Sequence, residues 1–460
     1  MASSAKPSES KQQGPFSFLF QSIDGHGLAL FRIAFGVIFV WEMIYLLRID
    51  FALIFLETPN FQFTYNLFPF LAPMPTPAMN ALIVLLAGCG VLVALGFFYR
   101  IAMSIIALGF SYIFFLDKAY YNNHLYLIVL IAFLMIFMEA DKVLSLRRSD
   151  KKAANFKIPA WNVWVLKAQL FIVYFYGGIA KLNGDWLFRQ QPVIQLLEQK
   201  GVDSGLTDLL TSDAFVYFIT YGGLAFDLVI GFLLVIPRTR FIGLIAALLF
   251  NLMNAWIFDD INIFPYFMMA ALVLFVAPET TKAFLEKKLK RNWITKGAAT
   301  LVSESSRKRI IGVLAIYFLF QLFFPFRHFL VGPNVDWTGV AQRFSWRMKI
   351  QNRQTETIKF AVFDLDSKQI YPVDLVTYGL NRDQIFNMSQ HPEMARQFAV
   401  FLDEYCEQRQ QMPNVMVKAD IRVSFNGRPP QPTIDRDKDL TKADSSPFAA
   451  QDWILPLNTP

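Results

Sequence analysis

The stretch WNVWVLKAQLFIVYFYGGIAKLN, residues 161–183, decides how the rest of the chain is interpreted. Its apolar and aromatic residues extend over about 20 positions, the length that an α-helix needs to cross the hydrocarbon core of a bilayer. Two lysines interrupt it, Lys167 near its beginning and Lys181 near its end. The stretch predicts a membrane-spanning helix, and it raises the question of what Lys181 does there.

The composition of the whole chain extends this interpretation. Of 460 residues, 55% are hydrophobic and 16% aromatic, and only 17% are charged, below the usual quarter of a soluble domain. We predict a polytopic α-helical membrane protein with about nine spans. The predicted spans cover residues 28–47, 77–98, 101–116, 125–139, 161–183, 214–236, 241–258, 262–277 and 309–330.

The distribution of positive charge predicts the orientation. With the amino terminus inside, the loops on the cytoplasmic side carry twenty Lys and Arg residues and those on the outer side carry four. Such an asymmetry is the positive-inside pattern of membrane proteins. The net charge of +7 therefore reflects topology, and we expect the bilayer as a partner and no nucleic acid. The protein is predicted to be a multi-pass integral membrane protein whose carboxyl terminus lies on the extracytoplasmic side.

Three regions follow from these patterns. Residues 1–26 are a polar cytoplasmic segment without the apolar core of a signal peptide. Residues 27–330 are the helical membrane domain. Residues 331–460 are predicted to form a strand-rich α+β extracytoplasmic domain, because TIKFAVFDLD, QIYPVDL and NVMVKADIRVSFNGR read as strands. Between the last two, SQHPEMARQFAVFLDEYCEQ is typical of a helix.

Several polar residues share the outer half of the predicted membrane domain. Given the orientation, the topology brings them to one leaflet, beneath the extracytoplasmic domain. They are Glu42, Asn122, Asn123, His124, Lys181, Asn251, Asn254 and His328. Neither a metal-ligand spacing nor a phosphate-binding glycine loop occurs, so no metal is expected.

Each of these residues also has a structural interpretation. A lysine near a helix end often extends its ammonium to water, which applies to Lys181 and still more to Lys167. A single interfacial histidine is more often structural than catalytic, and asparagines in spans commonly bond neighbouring helices. From the pattern alone, the sequence predicts a membrane protein with a polar site in its outer leaflet.

Nearly the whole chain resembles the vitamin K-dependent γ-glutamyl carboxylase family, which shares the horizontally transferred transmembrane domain. Ordered sequence blocks carry the resemblance. They are GLALFRIAFG (27–36), FFLDKAYYNNHLYL (114–127), VYFYGGIAKLNGDW (173–186), FDLVIGFLLV (226–235), FNLMNAWIF (250–258), QLFFPFRHFL (321–330) and FSWRMKI (344–350).

The resemblance implies roles for particular residues. Catalytic roles fall on Lys181, His124 and Asn123. The cofactor-binding set comprises Asn251, Asn254, His328, Tyr176, Gly177 and Gly178. In two places the chain departs from the animal enzymes: Ala180 precedes Lys181 where they have two successive lysines, and Asn251 stands where they have a histidine. The chain is also shorter than those enzymes.

The resemblance also implies a reaction. Reduced vitamin K, a hydroquinone, enters from the bilayer and reacts with dioxygen, a glutamate in a protein or peptide substrate loses its γ-proton and captures carbon dioxide, and the vitamin leaves as epoxide. Lys181 can act as the initial base only as a neutral amine, which burial among apolar groups favours over the ammonium. Gly177 and Gly178 would let a planar ring approach the backbone. Water must be excluded from such a site.

Two other functions compete with this one. Asn251 and the short carboxyl-terminal region are compatible with a quinone epoxidase or oxygenase of the same family that has a different carboxylation acceptor or none. A transporter or lipid-binding protein, with the polar residues joining helices, is the alternative from another class. Transporter sites lie near the midplane at broken helices, whereas these residues cluster on one side.

Overall fold

A computed structural model describes residues 14–146, 157–258, 261–290, 302–330, 334–445 and 451–458. Three segments were predicted to be cytoplasmic: 1–26, 140–160 and 278–308. Within them, residues 1–13, 147–156 and 291–301 lie outside the described residues.

Helices dominate the described chain as far as residue 330. They are α1 (His26–Arg48), α2 (Thr76–Leu95), α3 (Tyr99–Phe115), α4 (Asn123–Ile136), α5 (Trp161–Ala180), α6 (Gly184–Arg189), α7 (Val193–Ser204), α8 (Thr207–Leu210), α9 (Asp213–Val235), α10 (Arg240–Ile257), α11 (Phe264–Ala271), α12 (Pro278–Leu289) and α13 (Glu304–Phe323). A short antiparallel pair, β1 (Ser22–Asp24) and β2 (Lys157–Pro159), joins the starts of α1 and α5.

The polytopic helical architecture is confirmed, while the number of spans is less regular than predicted. Six helices in the described chain are long and apolar enough to cross a membrane, and a bent pair of helices raises the number to at most seven. Two of the nine predicted spans are the shorter apolar helices α3 and α4. The 14 residues of α4 rise only about 21 Å, less than the roughly 30 Å hydrocarbon core.

The eighth predicted span, 262–277, ends at a sharp bend, beyond which the chain continues as a second helix. Helix α11 continues as a 3₁₀-helix over Leu272–Phe275, and α12 then leaves at an angle of 102°. The first part runs antiparallel to α1: Tyr266 lies against Trp41, and the carbonyl of Val273 lies beside Gly27. This segment therefore extends along most of α1 before α12 turns aside.

The buried side chain of Arg32 joins the first half of α1 to the end of α2 and to the chain after α4. Its guanidinium donates to the carbonyl oxygens of Ala140 (3.0 Å), Leu144 (2.5 Å) and Ala94 (3.2 Å). These carbonyls belong to the end of α2 and to the chain after α4, so one cation satisfies backbone acceptors that the helix ends leave unpaired.

The carboxyl-terminal region has the predicted mixed fold. Its strands β3 (Arg353–Asp364), β4 (Ile370–Val373), β5 (Val415–Phe425) and β6 (Gln431–Pro432) form an antiparallel sheet in the order β4-β3-β5-β6. Three helices accompany it: α14 (Val335–Thr338), α15 (Arg382–Gln390) and α16 (Pro392–Gln410). Alternate residues of β5 are buried, and they share one hydrophobic core with Phe398 and Leu402 of α16. Helix α15 was not predicted.

The loop between α3 and α4 joins this domain to the bundle. Ala119 belongs to the core of the carboxyl-terminal domain. Lys118 forms an ion pair with Glu393, and Asp117 Oδ2 accepts a hydrogen bond of 2.8 Å from Gln384 Nε2. This loop leads directly into Asn123 and His124, two of the predicted site residues, and the carboxyl-terminal domain fixes its position.

Candidate functional site

Lys181 lies where α5 ends, and its side chain turns into the protein. The chain leaves the helix there because Asn183 caps α6, accepting a 3.0 Å hydrogen bond from the backbone N–H of Trp186. Lys181 Nζ donates to Asp227 Oδ2 at 2.5 Å and lies 5.1 Å from the centre of the Trp186 ring. A snorkelling lysine would direct Nζ to water, so this geometry does not support that alternative.

Asp227 is the partner that the sequence interpretation missed. It lies within α9, and only 8% of its side chain is exposed. A buried charge is costly unless a counter-charge and hydrogen bonds compensate it, and here the two groups compensate each other. Lys181 was expected to lie among apolar groups alone, but its surroundings include the carboxylate of Asp227. The signal in the sequence was the acid itself, because ionisable residues inside spans are rare and usually functional.

The pair lies on the wall of a cavity of about 450 Å³ between the bundle and the carboxyl-terminal domain. Four predicted site residues line this cavity: Asn123, His124, Lys181 and Asn254. Aromatic and apolar side chains, among them Phe250, Met253 and Phe264, form much of the remaining wall. The convergence that topology predicted is therefore present for these four residues.

Local hydrogen bonds orient Asn123 at the start of α4. Asn122 caps the helix, its Oδ1 accepting from the backbone N–H of His124 at 3.3 Å. Tyr121 donates its hydroxyl to Asn123 Oδ1 at 2.9 Å and accepts from the backbone N–H of Phe344 at 2.7 Å. The amide oxygen of Asn123 is thus engaged, which fixes the direction of its Nδ2 donors.

The two asparagines of α10 have different environments. Asn254 lines the cavity, whereas Asn251 is almost completely buried behind it. Asn251 Nδ2 donates to the hydroxyl of Tyr174 at 3.1 Å and to the carbonyl of Ala247 at 2.8 Å. Tyr174, and not Asn251, forms the wall at this point. Asn251 can act on a ligand only through Tyr174.

The other predicted cofactor-binding residues do not line this cavity. His328 faces a second cavity of about 440 Å³, with Nδ1 donating to the carbonyl of Pro325 at 2.7 Å. Tyr176 donates its hydroxyl to the carbonyl of Leu322, and its ring packs on Phe326 of the segment that follows α13. His328 therefore belongs to the helical segment Phe324–Leu330 that follows α13, and Tyr176 packs against that segment.

The glycines before Lys181 serve helix packing. A Cβ on Gly178 would lie 2.7 Å from Leu228 Cδ2 in α9, so this glycine allows α5 and α9 to approach closely. A Cβ on Gly177 would lie 3.3 Å from Asp227 Oδ2. The expectation that both glycines admit a planar ring is wrong at Gly178, where Leu228 occupies the space.

The carboxyl-terminal domain contributes a polar wall that the sequence interpretation did not single out. Gln342, Arg343, Arg347, Gln351 and His391 all line the cavity. Arg347 forms a bidentate pair with Asp336, with distances of 2.7 Å and 2.6 Å. Burial, followed by the nearby cation of Arg343, lowers the pKa of His391 well below its usual range, so its ring is neutral.

Comparison with known families agrees with this architecture. Residues 20–279 match the HTTM domain, and residues 306–460 match the vitamin K-dependent gamma-carboxylase lumenal domain. The HTTM match thus covers helices α1–α11, and the lumenal-domain match begins near the start of α13 and includes the carboxyl-terminal domain, which we call the lumenal domain. The chain belongs to the vitamin K-dependent γ-glutamyl carboxylase family, as its sequence blocks had indicated. No solved structure matches the chain.

Proposed function

We propose that this protein carboxylates the γ-carbon of glutamate residues in a protein or peptide substrate. It would use reduced vitamin K, dioxygen and carbon dioxide, and release vitamin K epoxide. Family membership supports the carboxylase class and the dependence on vitamin K. The observation that carries the proposal is the buried Lys181–Asp227 pair on the wall of the cavity beneath the lumenal domain.

The cavity is suited to a hydroquinone. Its volume of about 450 Å³ lies within the range of small-molecule sites, roughly 300–1,000 Å³. Tyr121, Phe250 and Phe264 offer flat apolar contacts, while Lys181 and Asn123 offer polar atoms for hydroxyl groups. When bound, the hydroquinone supplies, through its reaction with dioxygen, a base strong enough to remove a proton from glutamate Cγ.

Lys181 is proposed to accept the first proton from a hydroquinone hydroxyl. Lys181 Nζ and Asp227 Oδ2 lie 2.5 Å apart in a buried setting, within reach of a direct proton transfer from one to the other. When this proton resides on the carboxylate, Nζ has a free lone pair and the pair as a whole is uncharged. Asp227 thereby helps to keep the Lys181 amine neutral, a role that the sequence analysis assigned to burial among apolar groups alone.

Asn123 and His124 are proposed to orient the hydroquinone. Because Tyr121 occupies the Asn123 oxygen, the Nδ2 donors of that residue are directed elsewhere and can bind a quinone oxygen. His124 lines the same cavity, with its ring 6.3 Å from that of Phe264. Fixed donors of this kind stabilise developing negative charge without reorganising during the reaction.

The lumenal domain is proposed to keep bulk water from the cavity. Residues 342–351, which precede β3, supply several of its lining side chains, and the adjacent loop of residues 116–122 is held by ion pairing to α16. A strong base and a carbanion would both be quenched by solvent protons, so such a cover is required for carbon dioxide capture. In the epoxidase alternative, Asn251 would influence the quinone through Tyr174, to which it donates a hydrogen bond.

The test separates the two products. Purified protein in lipid nanodiscs is incubated with reduced vitamin K, a glutamate-containing peptide and labelled bicarbonate, and epoxide and fixed label are measured independently. The carboxylase produces both, and its yield of label falls when the peptide glutamate is replaced by glutamine. Epoxide without peptide-dependent label would indicate the epoxidase, and neither product would contradict the proposal.

A further inference from the structure

Arg343 is a cation on the cavity wall whose hydrogen-bonding capacity is largely unused. A guanidinium has five N–H donors. Among the described residues, the side chain of Arg343 donates one hydrogen bond, from Nη2 to Met394 Sδ at 3.1 Å, and thioether sulfur is a weak acceptor. No carboxylate of the described residues lies within ion-pair distance of it.

The other cations on this wall already have partners. Lys181 is paired with Asp227, and Arg347 with Asp336. Lys349 Nζ lies 5.1 Å from the centre of the Phe258 ring. Arg343 thus differs from its neighbours in offering a charged fork that no described carboxylate occupies. Guanidinium groups bind carboxylates in bidentate geometry, which makes this the ligand class that the site fits.

The surroundings of Arg343 retain positive charge. Lys118 is matched by Glu393, and Asp117, the other acid close enough to act on Arg343, is partly protonated near neutral pH because burial raises its pKa to about 7. These acids therefore compensate the positive charge of Arg343 only in part, and a ligand carboxylate can compensate the rest.

His391 lies on the same wall and supplies a neutral neighbour. Its ring is neutral, and its buried Nδ1 has no hydrogen-bond partner among the described residues. Gly339 makes space for it, since a Cβ there would lie 2.6 Å from Nδ1. His391 thus contributes a neutral ring to the cavity wall, with Nδ1 packed against Gly339, and the charge available to a ligand at this place is that of Arg343.

We infer that Arg343, with the neutral ring of His391 on the same wall, forms the subsite for the side-chain carboxylate of the acceptor glutamate, on the lumenal side of the cavity that holds Lys181. The inference rests on the proposed carboxylation and names its acceptor site. The lumenal wall faces the side from which a protein substrate arrives, whereas the polar atoms of Lys181 and Asn123 come from the membrane helices.

The chemistry of the acceptor gives Arg343 a second task. When the Cγ–H bond breaks, its electron pair delocalises onto the two carboxylate oxygens, which then carry additional negative charge until the pair forms the bond to carbon dioxide. A guanidinium bound to these oxygens stabilises that charge more strongly than it stabilises the substrate carboxylate. It therefore promotes the proton loss as well as binding.

Peptide binding tests the inference without turnover. The full-length protein in nanodiscs, without reduced vitamin K, is titrated with a fluorescent peptide that contains one glutamate and with its glutamine twin. Arg343→Gln is expected to raise the Kd of the glutamate peptide roughly 10- to 100-fold, the usual effect of losing a charge-assisted hydrogen bond. The Kd of the glutamine peptide is expected to change by less than about twofold, because it has no carboxylate to lose.

Matched variants complete the design. Arg409→Gln removes an exposed arginine from the end of α16 and should bind both peptides as the wild type does. Arg343→Lys keeps the charge without the fork, so its loss should be smaller, and it serves as the test if Arg343→Gln fails to fold. Equal weakening of both peptides, an unchanged Kd in both Arg343 variants, or no binding of the glutamate peptide to the wild type would overturn the inference.

The outcome is distinguishable from failure of the proposed function. A wild type that binds the glutamate peptide through Arg343 yet forms neither epoxide nor fixed label would refute the reaction and retain the carboxylate subsite. A wild type that forms both products, while the Arg343 variants bind and carboxylate normally, would refute the subsite and retain the reaction.

Discussion

Replacing both members of the Lys181–Asp227 pair separates its chemistry from its contribution to stability. In Lys181→Met/Asp227→Leu, two side chains that are only 10% and 8% exposed become apolar at similar size. Replacing a buried ion pair in this way often leaves stability unchanged or raises it by about 1–4 kcal/mol. We expect a folded protein without the amine, whose rate of epoxide formation falls by the roughly 10²–10⁴-fold typical of a lost general base.

The single variants give the reference points. Asp227→Asn leaves the lysine without its counter-charge, which costs about 3–5 kcal/mol for a buried pair, so it should unfold at a lower temperature than both the wild type and the double variant. Lys181→Arg keeps a cation but cannot deprotonate, so it should be inactive, whereas a snorkelling residue would tolerate it.

The assay measures initial rates of epoxide formation by chromatography, and thermal unfolding is measured on the same nanodisc preparations. A small primary amine added to Lys181→Ala should restore part of the rate if only a base is missing. A folded double variant that oxygenates reduced vitamin K at close to the wild-type rate would refute the catalytic assignment of Lys181.

Three further predictions concern other parts of the fold. His124→Ala should reduce epoxide formation without changing insertion or thermal unfolding, and an unchanged rate would return this histidine to a structural role. Gly178→Ala should cost about 1–3 kcal/mol because its Cβ meets Leu228 at 2.7 Å, whereas Gly184→Ala, with open space around it, should unfold as the wild type does. Burial raises the pKa of Asp117 from 3.8 to about 7, so the folded state binds its proton more tightly. Stability from this group should therefore fall as pH rises from about 4 to 7 and stay constant above that range, and Asp117→Asn should abolish this dependence in unfolding temperatures measured across pH.

Much of the architecture could be predicted because it depends on local properties. Apolar length marked the helical stretches of the bundle, and β-branched and aromatic residues between turn signals marked strands β3, β4 and β5. Charge asymmetry and helix order also predicted that Lys181, His124 and Asn254 lie at one end of the bundle. These residues do line one cavity, although each has several commoner interpretations by itself.

The sequence by itself determined how deep each residue lies, whereas the tertiary structure decided which way it faces. Asn251 and Asn254 are three residues apart, yet one lies behind Tyr174 and the other lines the cavity, because a rotation of about 60° around a helix separates them. Asp227 and Arg343 come from segments far from Lys181 in the chain and reach its cavity only through packing. Hydropathy measures transfer into the bilayer, which fixes depth along the membrane normal, while rotation around the helix axis is set by side chains on neighbouring helices, such as Leu228 against Gly178.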